Sequence, residues 1–427
     1  MATSRSAPGR RSGMNRRKVR KGRPMEGERL ELAVEGVAHG GHCVARHEGR
    51  VVFVRHTLPG ERVVARITEG TSESKFLRAD AVEVLDDSPD RVPAPCPFSG
   101  PGMCGGCDWQ HVALPAQRAL KTQVVREQLQ RIAKIDLDEV APDFTVEELP
   151  GHPDGLRWRT RLELAVDGGV AGLREHRSHR LVEIDDCVVS DEGFTAALRD
   201  RFDASIAGLD LVRPSVGDIV GIELPQPKGE KTPAVREIVD TAHGSAEFDV
   251  SARGFWQVHP AAASTFLDVV LDATDPQEGE RAVDLYCGVG LFTRALADLV
   301  GPSGSVLGVE ADAEAIEYAR TNMGGARHVD LLASDVAKAN LGTGADVVVL
   351  DPPRAGAGRD VVATIADLAP RVVTYVACDP AALARDLGYF AERGYDVDAL
   401  RGFDAFPMTQ HVECIAVLRP RGEANAS

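Results

Sequence analysis

The chain has 427 residues, 43% of them apolar, and a formal net charge of −16, enough apolar material for two or three separate cores. No run approaches eighteen apolar residues and the N-terminus has no apolar leader, so a membrane-spanning or exported protein is excluded and a soluble, cytoplasmic monomer is expected. The charge is unevenly placed, because residues 1–23 hold nine Lys/Arg and no acid while the rest carries −25. Residues 1–25 therefore read as a disordered basic tail, which either holds phosphate nonspecifically or only keeps the protein in solution.

From 26 to 88 short β-rich runs follow one another: LELAVEGV at 30–37, RVVFVRH at 50–56, ERVVARITE at 61–69 and FLRADAVEVL at 76–85. Glycines and Pro59-Gly60 punctuate them as hairpins and corners do, and the spacing predicts a small OB-like barrel of the kind that grips nucleic acid.

The segment 89–250 is expected to form a central α+β domain. It begins with a Pro/Gly-rich loop carrying Cys96, Cys104 and Cys107, the last two in a Cys-Gly-Gly-Cys turn that lets both sulfurs reach one metal. Cys187 is the next cysteine and completes a set of four thiols, suited to structural zinc or to a [4Fe–4S] cluster. A helix is predicted over 114–133, packing on the catalytic domain, and a strand over 159–169. Arg157, Arg159, Arg161, Arg174, Arg177 and Arg180 form a basic cluster in an otherwise acidic body, which suggests an anionic ligand; His176 and His179 read as surface hydrogen-bonders beside it.

From 251 to 422 strand and helix alternate, with strands near 282, 306, 329, 346, 371 and 412 and helices between the first five, the pattern of an α/β Rossmann-like sheet. Its centre is RAVDLYCGVGLFT (281–293), an apolar strand that breaks into a glycine turn and then a helix. Gly288 and Gly290 let the backbone approach a ligand, and Glu310, ending the next strand, is placed to accept both ribose hydroxyls. Thr293 stands where a dinucleotide fingerprint needs Gly or Ala, which favours S-adenosylmethionine (SAM) over NAD. The strand ends carry Asp335, Asp351-Pro352-Pro353-Arg354, Cys378-Asp379-Pro380 and, if the last strand runs antiparallel, His411 and Glu413. A thiolate adds to and leaves a pyrimidine C6 readily, so Cys378 reads as a nucleophile and Glu413 as the base for a C5 proton. Cys43, Cys287 and Cys414 read as inert core thiols.

These residues, with CGGCDWQH, FWQV, DLYCGVGLFT, DPPRAG, YVACDP and FPMTQHVE, make the chain resemble the RNA uracil-5-methyltransferase family in its TRAM-domain, iron–sulfur-containing branch. The resemblance covers nearly everything after residue 25. It implies a TRAM barrel, Cys378 as nucleophile, Glu413 as proton acceptor, and Gln257, Tyr286, Glu310, Asp335 and Asp351 around SAM, with Arg354 near the target nucleotide. It also implies that Cys96, Cys104, Cys107 and Cys187 hold [4Fe–4S] rather than zinc, and that the partner is ribosomal RNA in preference to tRNA. The chain departs from the family in three places. ACDP replaces SCNP, so Asp379 stands where Asn is usual and is expected to raise the thiol pKa by like-charge repulsion. Seven residues rather than five separate the first two cluster cysteines, and Leu291 replaces an Asn after the glycine turn. Two rival readings are an RNA base amino-methyltransferase, which would follow Asp-Pro-Pro with an aromatic where Arg354 stands, and a noncatalytic RNA-binding protein on the same fold. A DNA cytosine-5 enzyme would carry its cysteine after the fourth strand.

Overall fold

The computed structural model describes residues 21–422; most of the predicted basic tail lies outside the described residues. The barrel closes from β1 (Arg29–Ala38), β2 (His42–His47), β3 (Arg50–Arg55), β4 (Arg62–Glu69) and β5 (Phe76–Asp86) in the order β1-β2-β3-β5-β4. Alternation drives it: Leu32 and Val34, Val52 and Val54, Val63, Ala65 and Ile67, and Leu77, Ala79 and Ala81 all point into one core. The strand β2 escapes the sequence reading because HCVARH offers only Cys43 and Ala45 to that core between two glycine turns.

The helix Leu114–Gln128 continues as a π turn, Leu129–Ala133, and packs on the catalytic helix Pro380–Glu392. Beyond it, β6 (Val146–Glu148) leaves the central region and joins the catalytic sheet. The central sheet is built from β7 (Arg161–Asp167), β8 (Val170–Arg174), β9 (Leu181–Glu183), β10 (Gly208–Val212) and β11 (Val220–Leu224), followed by the hairpin β12 (Ala234–Thr241) and β13 (Gly244–Ser251).

The catalytic sheet has eight strands: β14 (Arg281–Leu285), β15 (Ser305–Glu310), β16 (Val329–Ala333), β17 (Val347–Leu350), β18 (Val372–Ala377), β19 (Tyr395–Asp404) and β20 (Glu413–Pro420), with β6. Their order is β16-β15-β14-β17-β18-β20-β19-β6. The first five run parallel, and β17 and β18 are buried throughout because helices cover both faces. β20 runs antiparallel to β18, which brings Glu413 to the rim where the parallel strands end. Two expectations are corrected. No α-helix links β16 to β17, where DVAKAN supplies only the 3-10 turn Val336–Lys338, and a seventh strand, β19, lies between the helix Pro380–Glu392 and the last strand.

Candidate active site

Six strand ends, the loops at 254–258 and 406–411 and the helix Ala313–Asn322 enclose a cavity of about 660 Å³. Gln257, Tyr286, Gly288, Glu310, Asp351, Arg354, Cys378, His411 and Glu413 all line it. The glycine turn is shaped for a ligand: a side chain at Gly288 would project into open space, and its φ of +54° is one that only glycine adopts freely. Tyr286, two residues before, holds a left-handed φ of +64° without that freedom, local strain at the point where β14 meets the cavity. Glu310 accepts the Gly288 N–H (3.2 Å) and the Asp312 N–H (2.9 Å), which fixes its carboxylate at the cavity wall. Thr293 has a structural task, since its hydroxyl donates to buried Asp284 at 2.5 Å.

Asp335 is the exception among the residues assigned to the cofactor. It is exposed, caps the turn at Ala337 (3.1 Å), pairs with Lys338 (3.3 Å), and does not reach the cavity wall.

Cys378 and Glu413 face the same space from neighbouring antiparallel strands, with Asp351 and Arg354 beside them. Burial pushes the Cys378 thiol up to about 12, helped by Glu413 and Asp351 and opposed by Arg354. Burial likewise lifts Asp351 to about 7 and Glu413 well above the carboxylate range. At neutral pH Cys378 and Glu413 are thus held towards their protonated forms and Asp351 is close to half ionised, and a cation placed among them would favour the ionised form of each. His411 is pushed down to about 4 by burial and by Arg354, so its ring is neutral at pH 7. Asp379, expected to raise the thiol, is not among the main causes of the Cys378 shift, and its carboxylate has two partners. One oxygen caps the following helix at the Ala382 N–H (2.8 Å), and the other pairs with His39 of the barrel (3.1 Å).

Comparison with known proteins matches residues 23–82 to the TRAM domain, 255–374 to the methyltransferase small domain and 342–421 to tRNA (uracil-5-)-methyltransferase. An "Uncharacterized RNA methyltransferase" of Streptomyces coelicolor is 49% identical across 92% of this chain and 93% of its own, and a namesake from Streptomyces avermitilis is 46% identical across 92% and 99%. The chain belongs to the RNA uracil-5-methyltransferase family. As a member it is a SAM-dependent RNA methyltransferase. In fold it resembles the crystal structure of Pyrococcus abyssi tRNA (uracil-54, C5)-methyltransferase in complex with S-adenosyl-L-homocysteine, with a TM-score of 0.67 and 22% identity over 91% of this chain and all of that one.

Relative to the family pattern, the cysteine loop is the second region of interest. Cys96, Cys104, Cys107 and Cys187 all line one small cavity of about 20 Å³ between the loop and the central sheet. Among the described residues, however, no three His, Cys, Asp or Glu side chains are spaced to hold a metal ion. Four thiols on one cavity are the donor set of a thiolate-bound group, although burial favours their protonated forms until a metal displaces the protons. Burial raises Cys96 and Cys107 and takes Cys104 to about 11, while the Gly106 N–H donates to the Cys104 sulfur (3.4 Å) and Arg159 lies on the cavity wall.

The arginine cluster read from the sequence is not one patch. Arg157 grips Asp186 through two bonds of 2.8 and 2.7 Å, Arg161 reaches Glu237 and two carbonyls, and Arg180 pairs with Glu175 at 2.9 Å. Only Arg161 of these three lies on a strand, and Arg157 and Arg180 are turned to their partners by the loops that carry them. A different group was missed, because its members are scattered through the chain. Arg78 lies 5.6 and 5.5 Å from the rings of Phe53 and Phe76, donates towards His42 at 3.1 Å, and shares Glu69 with Arg177. Phe76 is 43% exposed, unusual for an aromatic without a partner surface. Phe255, at the cavity mouth, is 75% exposed.

Proposed function

We propose that the protein methylates C5 of a uridine in structured RNA through a covalent adduct between Cys378 and C6 of the base. The observation that carries this reading is the placing of one thiol and one buried carboxyl, Cys378 and Glu413, on the same cavity rim.

Gln257, Tyr286, Glu310 and Asp351 would hold SAM along the glycine turn, with Asp335 outside that set in the ligand-free chain. SAM, when bound, would supply the electrophilic methyl group, and a sulfonium held near Cys378, Asp351 and Glu413 would favour their ionised forms. The Cys378 thiolate adds to C6, and the displaced electron pair makes C5 nucleophilic towards the methyl carbon. Glu413 then takes the C5 proton, and the electrons released expel the thiolate and restore the double bond. Arg354 stabilises negative charge on the ring and on the thiolate. Such chemistry requires the base to leave its stack.

The RNA would cross the barrel at Phe53, Phe76 and Arg78 and the adjoining Arg177 of the central region, where aromatic faces and guanidinium groups suit unstacked bases and phosphates. The four cysteines would hold a [4Fe–4S] cluster, with zinc the second reading, and the fit of barrel and cluster together favours ribosomal over transfer RNA. Mapping 5-methyluridine in both RNAs from a deletion strain identifies which one loses it.

Labelled SAM and denaturing electrophoresis test the mechanism. Glu413→Gln should leave a labelled protein–RNA conjugate, whereas Cys378→Ala should give neither conjugate nor product, a loss of about 10³-fold or more. Turnover by Cys378→Ala would instead favour the amino-methyltransferase reading.

A further inference from the structure

The turn between β1 and β2 touches both catalytic loops. His39 Nε2 lies 3.1 Å from Asp379 Oδ2, next to the nucleophile, while the other Asp379 oxygen caps the helix Pro380–Glu392. Two residues on, Gly41 has φ +77°, and a Cβ there would come within 3.0 Å of Gln410 and 3.1 Å of Asp108. Gln410 in turn precedes His411 and Glu413, and its N–H donates to Asp108, which faces Arg55 of β3 at 3.5 Å. The barrel is thus built against the loop that carries the thiol and the loop that carries the acid.

We propose that His39 is a positioning residue for the methyl transfer, its imidazolium neutralising Asp379 so that no free carboxylate stands beside the Cys378 sulfur. The proposal rests on the covalent reading for its effect on turnover, but its effect on the thiol stands without it. An Asn at 379 would cap the helix about equally well but could form no ion pair, so the carboxylate adds a charge beside the sulfur that His39 is placed to balance. The hydrogen bond to Asp379 raises the His39 pKa against its burial. Around the pair stand Cys378 in sequence, Cys414 and His411 from the β20 side, Arg354 beyond His411, and Asp108 with Arg55 behind Gly41. None of these replaces His39 as a direct partner of Asp379: among the described residues only His39 forms an ion pair with it.

Three full-length variants test this: His39→Ala, Asp379→Asn and the two combined. Cys378 reactivity is followed by iodoacetamide alkylation and peptide mapping across about pH 6–10, which needs no RNA. Methyl transfer is followed on RNA in parallel. His39→Ala should lower the alkylation profile of Cys378 about tenfold below the raised His39 pKa, the gap closing as pH rises through it, and lower kcat about tenfold at pH 7, with KM for SAM unchanged. The double variant should recover both to within about threefold of the parent, since the uncompensated charge is gone. An unchanged profile in His39→Ala, or a loss that Asp379→Asn fails to reverse, overturns the proposal. So does a loss confined to KM for RNA, which would make the contact a mere docking point. If the parent itself makes no 5-methyluridine, the covalent reading falls, while the alkylation series still decides whether His39 shields the thiol.

Discussion

Two sets of cysteine line cavities in this molecule, Cys378 alone and four thiols of the central region together, and they differ in what surrounds them. Cys378 faces about 660 Å³ of space and shares it with Asp351 and Glu413, whereas Cys96, Cys104, Cys107 and Cys187 face about 20 Å³ and one another. Burial raises the pKa of Cys378 and Cys104 alike, so the pKa direction alone does not separate a nucleophile from a ligand. What separates them is room and company. A thiol that must add to a base and leave again needs an open face and carboxyls to exchange protons with. Thiols that hold an inorganic group need enclosure and donors, such as the Gly106 N–H, that favour sulfur as thiolate.

The largest effect that sharpens this comparison is on metal. Protein purified without oxygen should contain about four irons, and Cys187→Ser should lose most of them while Cys378→Ala and Cys43→Ser keep theirs. Equal iron in all three variants would erase the distinction. Next in size is RNA affinity. Phe76→Ala with Arg78→Gln should weaken RNA binding by about tenfold or more and flatten its salt dependence, with SAM affinity unchanged. Neutralising Arg157 and Arg161 should instead lower thermal stability, because each is tied to the fold. A smaller effect is expected on Cys378 itself: a SAM analogue with an ammonium in place of the sulfonium should speed its alkylation at pH 8 by about three- to tenfold over the neutral S-adenosyl-L-homocysteine. The four loop cysteines should not respond. The smallest concerns stability against pH. The folded pKa of His39 is raised above the ordinary 6.5 and that of Asp379 lowered below the ordinary 3.8, the latter against its burial by the His39 and helix N–H bonds. Their pairing therefore stabilises the fold fully between those two ordinary values. It is lost as pH rises through the raised His39 value, and again as pH falls through the lowered Asp379 value. His39→Ala should lower Tm by about 1–2 °C at pH 5.5 and leave it unchanged at pH 9, because a partly exposed pair is screened.

The parts of this architecture that were legible in the sequence are those written locally. RAVDLYCGVGLFT announces a buried strand, a turn and a helix because apolar residues and glycines follow one another within thirteen positions. Asp351, Cys378 and Glu413 could be placed on one rim once strand direction was known. By contrast, β19 reads YDVDALRGFD, with polar residues breaking any apolar run. The arginine cluster misled because most of its members sit in turns and loops, and Arg157 and Arg161 are bound up by acids and carbonyls that lie far away in the sequence. Nothing near His39 or Asp379 signals their meeting, and the Phe53, Phe76, Arg78 and Arg177 group has no sequence spacing at all. Long-range pairs of this kind become visible only when the domains are assembled.

One such pair has a consequence for how the protein is made. Fully buried Lys121 bonds to Asp404 at 2.5 Å across 283 residues of chain, and Gln117 accepts the Met408 N–H across 291. The loop that delivers Glu413 is thus moulded on a helix translated long before it. During synthesis on the ribosome, the barrel and the cysteine loop emerge first, and Cys378 appears while its acid partner is still unmade. On the proposed mechanism the nascent chain would dock on RNA before it could modify it, and a product truncated by its last strand would be a binder without a reaction.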